Sequence, residues 1–120
     1  MMRTILTVDD STSMRQMVKA TLQSAGYDVV EAADGQEALD WARDNDADLV
    51  ISDVNMPRMD GITLIGELRA LSTYRLIPML MLTTESSQDK KMEGKRAGAT
   101  GWIVKPFNPA QLLATLKRLL

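Results

Sequence analysis

The sequence predicts an α/β fold: a single doubly wound, five-stranded parallel sheet of order 2-1-3-4-5 with five helices. Three observations predict it. Five short runs of β-branched and aliphatic residues are each followed by a stretch with helical spacing. The runs start about 20 to 30 residues apart, the length of one strand–helix unit. A chain of 120 residues is the size of one domain, and buries roughly two thirds of its unfolded surface.

The first run, Thr4-Ile5-Leu6-Thr7-Val8, precedes a segment with Met14, Met17, Val18, Leu22 and Ala25 on one helical face, which Gly26 stops. The second, Asp28-Val29-Val30-Glu31-Ala32, carries two acids and suits an edge. Asp34 followed by Glu37 then reads as a capping box before Ala38, Leu39 and Ala42. The third run is Asp48-Leu49-Val50-Ile51-Ser52, and after it Asp60-Gly61 opens a helix with Ile62, Ile65 and Leu68. The fourth run is Pro78-Met79-Leu80-Met81-Leu82. Its helix, Ser87 to Ala97, is mostly charged, and Gly94 costs it about 1 kcal/mol relative to alanine. The fifth run is Trp102-Ile103-Val104. Asn108 caps the last helix and Pro109 takes its first position, ahead of Leu112, Leu113 and Leu116. The first, third and fourth runs are the most continuously apolar, as central strands are.

Composition narrows the chemistry. There is no cysteine, which excludes disulfides, thiolate metal sites and cysteine nucleophiles. There is no histidine either, which excludes imidazole bases, Ser-His-Asp triads and phosphohistidine on this chain. A net charge of −2 supplies no field for nucleic acid or an anionic membrane. No apolar stretch approaches the roughly 18 residues of a membrane span. Met1-Met2-Arg3-Thr4 runs into the first strand without a signal-peptide pattern, so a cytoplasmic protein is expected. The five units use residues 1–120 as one domain, so a monomer without a DNA-binding output is expected.

Ligands of doubly wound sheets bind beyond the carboxyl ends of the strands. Here those ends are Asp9-Asp10, Asp53, Thr83-Thr84-Glu85 and Lys105-Pro106. If the first and third strands are neighbours, about 4.8 Å apart, three carboxylates crowd one pocket. Two like charges at 4 Å repel by about 4 kcal/mol at an effective dielectric of 20. Mg²⁺ is the natural counterion, since it takes one or two carboxylates and accepts phosphate oxygens. Without metal, Asp10→Ala or Asp53→Ala is expected to stabilise the fold. Carboxylate, Mg²⁺, the Lys105 ammonium and the Thr83 hydroxyl together suit phosphoryl transfer onto aspartate. Asp53, alone at the end of a central strand, is the nucleophile by position, and Asp9 and Asp10 suit the metal. Taken singly, Asp10 or Ser11 reads as a helix cap, Asp53 as a turn residue, Thr83 as a loop tie and Lys105 as a solvated charge. Their joint occurrence at four strand ends favours a site.

Val8-Asp9-Asp10-Ser11, Ser52-Asp53-Val54-Asn55-Met56-Pro57-Arg58-Met59-Asp60-Gly61, Met81-Leu82-Thr83-Thr84-Glu85 and Gly98-Ala99-Thr100-Gly101-Trp102-Ile103-Val104-Lys105-Pro106-Phe107 carry a resemblance. They resemble the receiver domains of bacterial two-component response regulators, in particular stand-alone, CheY-like chemotaxis regulators. The resemblance implies a flavodoxin-like fold with Asp53 as phosphoacceptor. It also implies Mg²⁺ held by Asp10, Asp9, Asp53 and the carbonyl of Asn55. Thr83 would be the switch hydroxyl, Lys105 the phosphate-contacting lysine, and Lys105-Pro106 a cis peptide. Asn55 and Glu85 resemble positions that tune the acyl-phosphate lifetime, and their polarity implies a short one.

Two positions depart from the family pattern. Thr84 stands where Ala or Gly is common, and would narrow access to the phosphoryl group. Trp102 stands where a Tyr or Phe commonly rotates with the switch hydroxyl; its bland reading is a cover for the sheet edge. Lys90, Lys91, Lys95 and Arg96, with Trp102, are the expected partner surface, or else a solvated helix face. The implied partners are a histidine kinase as donor and a protein target such as a flagellar motor or signalling-complex component. The implied role is a phosphorylatable switch rather than an enzyme. Rival readings are a phosphorelay intermediate, a receiver excised from a longer regulator, an aspartyl-phosphate hydrolase and a flavin-binding electron carrier. The hydrolase would want an acid where Asn55 stands. The flavin carrier would want more aromatics than this chain has, and Asp9-Asp10 would repel its phosphate.

Overall fold

The computed structural model describes residues 2–120. Its elements alternate as β1 (Thr4–Val8), α1 (Thr12–Ser24), β2 (Asp28–Ala32), α2 (Gly35–Asp44), β3 (Leu49–Ser52), α3 (Gly61–Arg69), a 3₁₀ turn (Ser72–Tyr74), β4 (Met79–Thr83), α4 (Gln88–Ala97), β5 (Gly101–Val104) and α5 (Pro109–Leu119). All strand pairs are parallel, in the order β2-β1-β3-β4-β5, as the sequence pattern predicts.

Four strand boundaries, on three strands, differ from expectation. β3 begins at Leu49 rather than Asp48, whose carboxylate instead accepts the Thr4 N–H at 2.7 Å. β4 runs from Met79 rather than Pro78, because proline has no N–H to give a ladder, and extends to Thr83, which pairs with Val104. β5 begins one residue early, at Gly101 opposite Leu80, where a Cβ would come within 2.9 Å of the leucine side chain.

The period-2 alternation of the strands divides the core. On one face Leu6, Val8, Val50, Met79 and Met81 pack with Leu39 of α2 and Leu64, Ile65 and Leu68 of α3. On the other, Ile5, Leu49, Ile51, Leu80 and Leu82 meet Val18 and Leu22 of α1 and Leu112 and Leu116 of α5. Each of these side chains contributes about 1.5–3 kcal/mol on burial. β1, β3 and β4 are almost wholly buried, and β2 and β5 are the exposed edges.

Every α-helix opens on a side-chain cap, each stabilising by about 1 kcal/mol. Ser11, not Asp10, caps α1. Asp34, Asp60, Ser87 and Asn108 cap α2 to α5. Asp34 accepts the Glu37 N–H at 2.8 Å, but Glu37 does not reach back among the described residues; Arg58 occupies Asp34 instead. α4 is the least anchored helix, with Gly94 its only buried residue. Its far end is fastened by Arg69, which donates to the Gly98 carbonyl at 3.1 and 2.8 Å and to the Tyr74 and Arg75 carbonyls at 2.8 and 3.0 Å. Burial pushes the pKa of this guanidinium down.

Tyr74 is fully buried and its hydroxyl donates to the Asn45 carbonyl at 2.6 Å. Burial pushes the phenol up to about 12. Tyr74→Phe is expected to cost about 1–2 kcal/mol near neutral pH, because the carbonyl loses its donor. The folded phenol holds its proton more tightly than the unfolded one, so its contribution is complete below about pH 10 and lost as pH rises towards 12. Denaturant midpoints of the two proteins therefore converge across that window.

Candidate functional site

The register of the central strands builds the site. Val8 of β1 lies opposite Ser52 of β3, so the next residues, Asp9 and Asp53, leave the sheet side by side. The Asp53 N–H donates to the Val8 carbonyl at 2.9 Å. One carboxylate oxygen from each of Asp9, Asp10 and Asp53 lies within 4.8 Å of the others. Asp9 is buried, Asp53 half-buried and Asp10 exposed.

From the end of β5, on the far side of β4, Lys105 reaches back into this cluster, and the Lys105–Pro106 bond that follows it is cis. Its ammonium donates to Asp9 Oδ2 at 2.8 Å and to Asp53 Oδ2 at 3.2 Å. Burial acts to lower its pKa, but the Asp9 hydrogen bond and the charges of Asp53 and Asp9 outweigh that, and the net shift is upward. Lys105 is thus a fixed cation. The remaining oxygens of its partners are used as well: Asp9 Oδ1 accepts the Ser11 N–H at 2.9 Å, and Asp53 Oδ1 the Val54 N–H at 2.7 Å. The Asp10 carboxylate has no hydrogen-bond or ion-pair partner among the described residues. One ammonium faces three carboxylates, and the group left without a partner is the one open to solvent. Hard oxygen donors with unbalanced negative charge fit a small divalent cation, and Asp9, Asp10 and Asp53 are the residues that could hold it.

The other expected site residues form a second, adjoining group. Thr83 is fully buried at the end of β4, and its hydroxyl accepts the Glu85 N–H at 3.2 Å. The Glu85 carbonyl in turn accepts the Trp102 indole N–H at 2.8 Å. These bonds run from the strand end beside the acids to the α4–β5 surface. Asn55 and Thr84 are exposed and Glu85 half-buried; none of the three, nor Thr83, bonds to the acid cluster among the described residues. Lys91 and Lys95 line a groove of about 320 Å³ with Ala99, Thr100, Gly101 and Trp102. Lys90 pairs instead with Glu93 of its own helix at 3.4 Å, and Arg96, though exposed, does not line the groove.

Some positioning residues escape the sequence reading. A Cβ at Gly61 would stand 1.8 Å from the Asp53 carbonyl oxygen, so this glycine lets the loop fold back onto the end of β3. Arg15 of α1 donates to the Asp9 carbonyl and lies 3.6 Å from Glu31. In sequence it is indistinguishable from a solvated helix charge. Gly94, which reads as a helix defect, has a structural reason: a Cβ there would come within 2.8 Å of the Trp102 ring. The indole lies against α4 rather than only covering the sheet edge.

A parallel sheet whose carboxyl edge gathers three aspartates, two of them held by a lysine, defines a class, and comparison with known proteins agrees. The family model described as response regulator receiver domain matches residues 5–117, and the chain belongs to that family. It is 40% identical over 116 residues to chemotaxis protein CheY-3 of Vibrio cholerae, covering 96% of this chain and 89% of that protein. It is 41% identical over 115 residues to chemotaxis protein CheY1 of Helicobacter pylori, covering 94% and 93%. The solved structure of Vibrio cholerae chemotaxis protein CheY4 superposes with a TM-score of 0.95 at 57% identity, over 100% of both chains.

The fit of Gly94 to Trp102 is testable. Gly94→Ala is expected to displace the indole and break its bond to Glu85, seen as faster exchange and a shifted resonance of the Trp102 indole N–H. The helix-propensity gain of about 1 kcal/mol then fails to appear as added stability. A variant that gains that stability with an unmoved indole contradicts the packing.

Proposed function

We propose that residues 1–120 act as one phosphoacceptor domain: a switch that takes a phosphoryl group from a histidine kinase onto Asp53 and signals through phosphorylation-dependent protein binding, in bacterial chemotaxis. The single observation that carries this reading is the Lys105 ammonium between Asp9 and Asp53, beside an Asp10 carboxylate that has no partner among the described residues. The names of the relatives support the chemotaxis role, and the place proposed for it is the cytoplasm. Among the described residues no helix is long and apolar enough to cross a membrane.

An Asp53 carboxylate oxygen attacks phosphorus. The P–N bond to the donor imidazole breaks, and its electron pair stays on the departing nitrogen. Asp9, Asp10 and Asp53, with the carbonyl of Asn55, would hold Mg²⁺, which supplies charge neutralisation for the equatorial oxygens. Lys105 follows the new phosphoryl oxygens, since its ammonium already contacts Oδ2 of Asp53, the carboxylate they are joined to. Thr83 turns its hydroxyl towards the dianion. That movement gives up its bond from Glu85, and through the Glu85 carbonyl it reaches Trp102 and the groove of Lys91 and Lys95. Asn55, Thr84 and Glu85, at the rim, govern the approach of the water that hydrolyses the acyl phosphate. Lys90 and Arg96 extend the basic surface offered to a flagellar motor or signalling-complex protein. The chain acts as a monomer that catalyses only its own modification and its reversal.

Incubation with MgCl₂ and a small acyl phosphate is the test. Wild type is expected to take up label, which a chelator abolishes, and Asp53→Asn to take up none. Equal labelling of both proteins, or none of wild type, overturns the reading.

A further inference from the structure

The β3–α3 loop that carries Asn55 is held from outside the acid cluster. Gly61 N–H donates to the Val54 carbonyl at 2.8 Å and closes the loop at its base. Met59 N–H donates to the Pro57 carbonyl at 2.7 Å, across Arg58 at φ +66°. This is a γ-turn with a non-glycine residue at positive φ, a conformation that persists only where the surroundings hold it. Two contacts do so. Met59 is seated on the start of α2, where a Cβ on Gly35 would stand 2.5 Å from the Met59 carbonyl oxygen. Arg58 grips Asp34 in a two-pronged bond, Nε to Oδ2 at 3.0 Å and Nη2 to Oδ1 at 3.1 Å, while Asp34 caps α2.

We propose that the Arg58–Asp34 pair is a clasp that positions the Asn55 loop for metal binding, making both of them positioning residues for the phosphoacceptor site. The proposal rests on the reading of Asp9, Asp10, Asp53 and Asn55 as the Mg²⁺ site. Arg58 pairs with Asp34 and, among the described residues, makes no hydrogen bond or ion pair with Asp9, Asp10 or Asp53. Its influence on the metal therefore runs through the backbone. This fixes the sign of the effect. A cation acting directly would repel Mg²⁺, and its loss would tighten binding; a clasp holds the ligand loop in place, and its loss weakens binding.

The test titrates MgCl₂ calorimetrically into wild type, Arg58→Asn, Asp34→Asn and the double variant. Amide hydrogen exchange of residues 55–59 is followed in the metal-free proteins. Asparagine tolerates positive φ at 58 and remains a good cap at 34, so both variants keep the local fold while losing the ion pair. Each is expected to weaken Mg²⁺ binding about two- to fivefold, the range open to an exposed pair of good geometry. The double variant is expected to be no weaker than either single one, and the loop amides to exchange faster. The difference shrinks in about 1 M salt. Unchanged or tighter Mg²⁺ binding in either variant overturns the clasp. Wild type that binds no Mg²⁺ overturns the site reading instead, and the exchange rates then decide the clasp: equal rates overturn it, faster rates in the variants support it.

Discussion

Three carboxylates meet at the carboxyl edge of this sheet because β1 and β3 are neighbours in register, and a single ammonium from β5 is shared between two of them. The arrangement is close enough to repel strongly and only partly compensated. A fold selected for stability alone would place a hydroxyl or an amide at one of these positions. The repulsion is the stored condition on which the rest depends. It makes the edge receptive to a divalent cation, and it keeps Lys105 charged and fixed. On the proposed reading, a cation there would let Asp53 accept a phosphoryl group that carries more negative charge than the carboxylate.

The same edge explains how a local charge change can be felt elsewhere. Thr83, Glu85 and Trp102 are joined by two hydrogen bonds that begin beside the acids and end on the α4 face. α4 buries only a glycine and is tied at its far end by Arg69. It is the element whose balance of positions costs least to shift. The β1, β3 and β4 core, by contrast, is packed on both faces and serves as the fixed frame.

Much of this is legible in the residues. The alternation of apolar runs with capped helical segments implies a parallel sheet, the continuous apolarity of the first, third and fourth runs fits the order 2-1-3-4-5, and the strand ends then nominate Asp9, Asp10, Asp53, Thr83 and Lys105. These residues are legible because a parallel sheet delivers all its carboxyl ends to one edge. The residues that place them are not. Arg15 and Arg58 look like surface charges, and only the fold brings them to the Asp9 carbonyl and to Asp34. Gly94 looks like a flaw until the Trp102 ring occupies the space a methyl would need. The strand limits at Asp48, Pro78 and Gly101 depend on which partner each backbone group meets across the sheet, and periodicity does not encode that.

The stability of wild type and Asp10→Ala, compared by denaturation with and without MgCl₂, tests the account most directly. Asp10 has a carboxylate without a partner among the described residues, so metal-free Asp10→Ala is expected to be the more stable protein, by about 1 kcal/mol. Saturating Mg²⁺ reverses the order by stabilising wild type through binding to its folded state alone. Asp53→Ala is expected to gain less than Asp10→Ala without metal, because it also gives up the Lys105 and Val54 bonds. Wild type that is already the more stable protein without metal, or that is unmoved by Mg²⁺, contradicts the claim that this cluster is built for a cation.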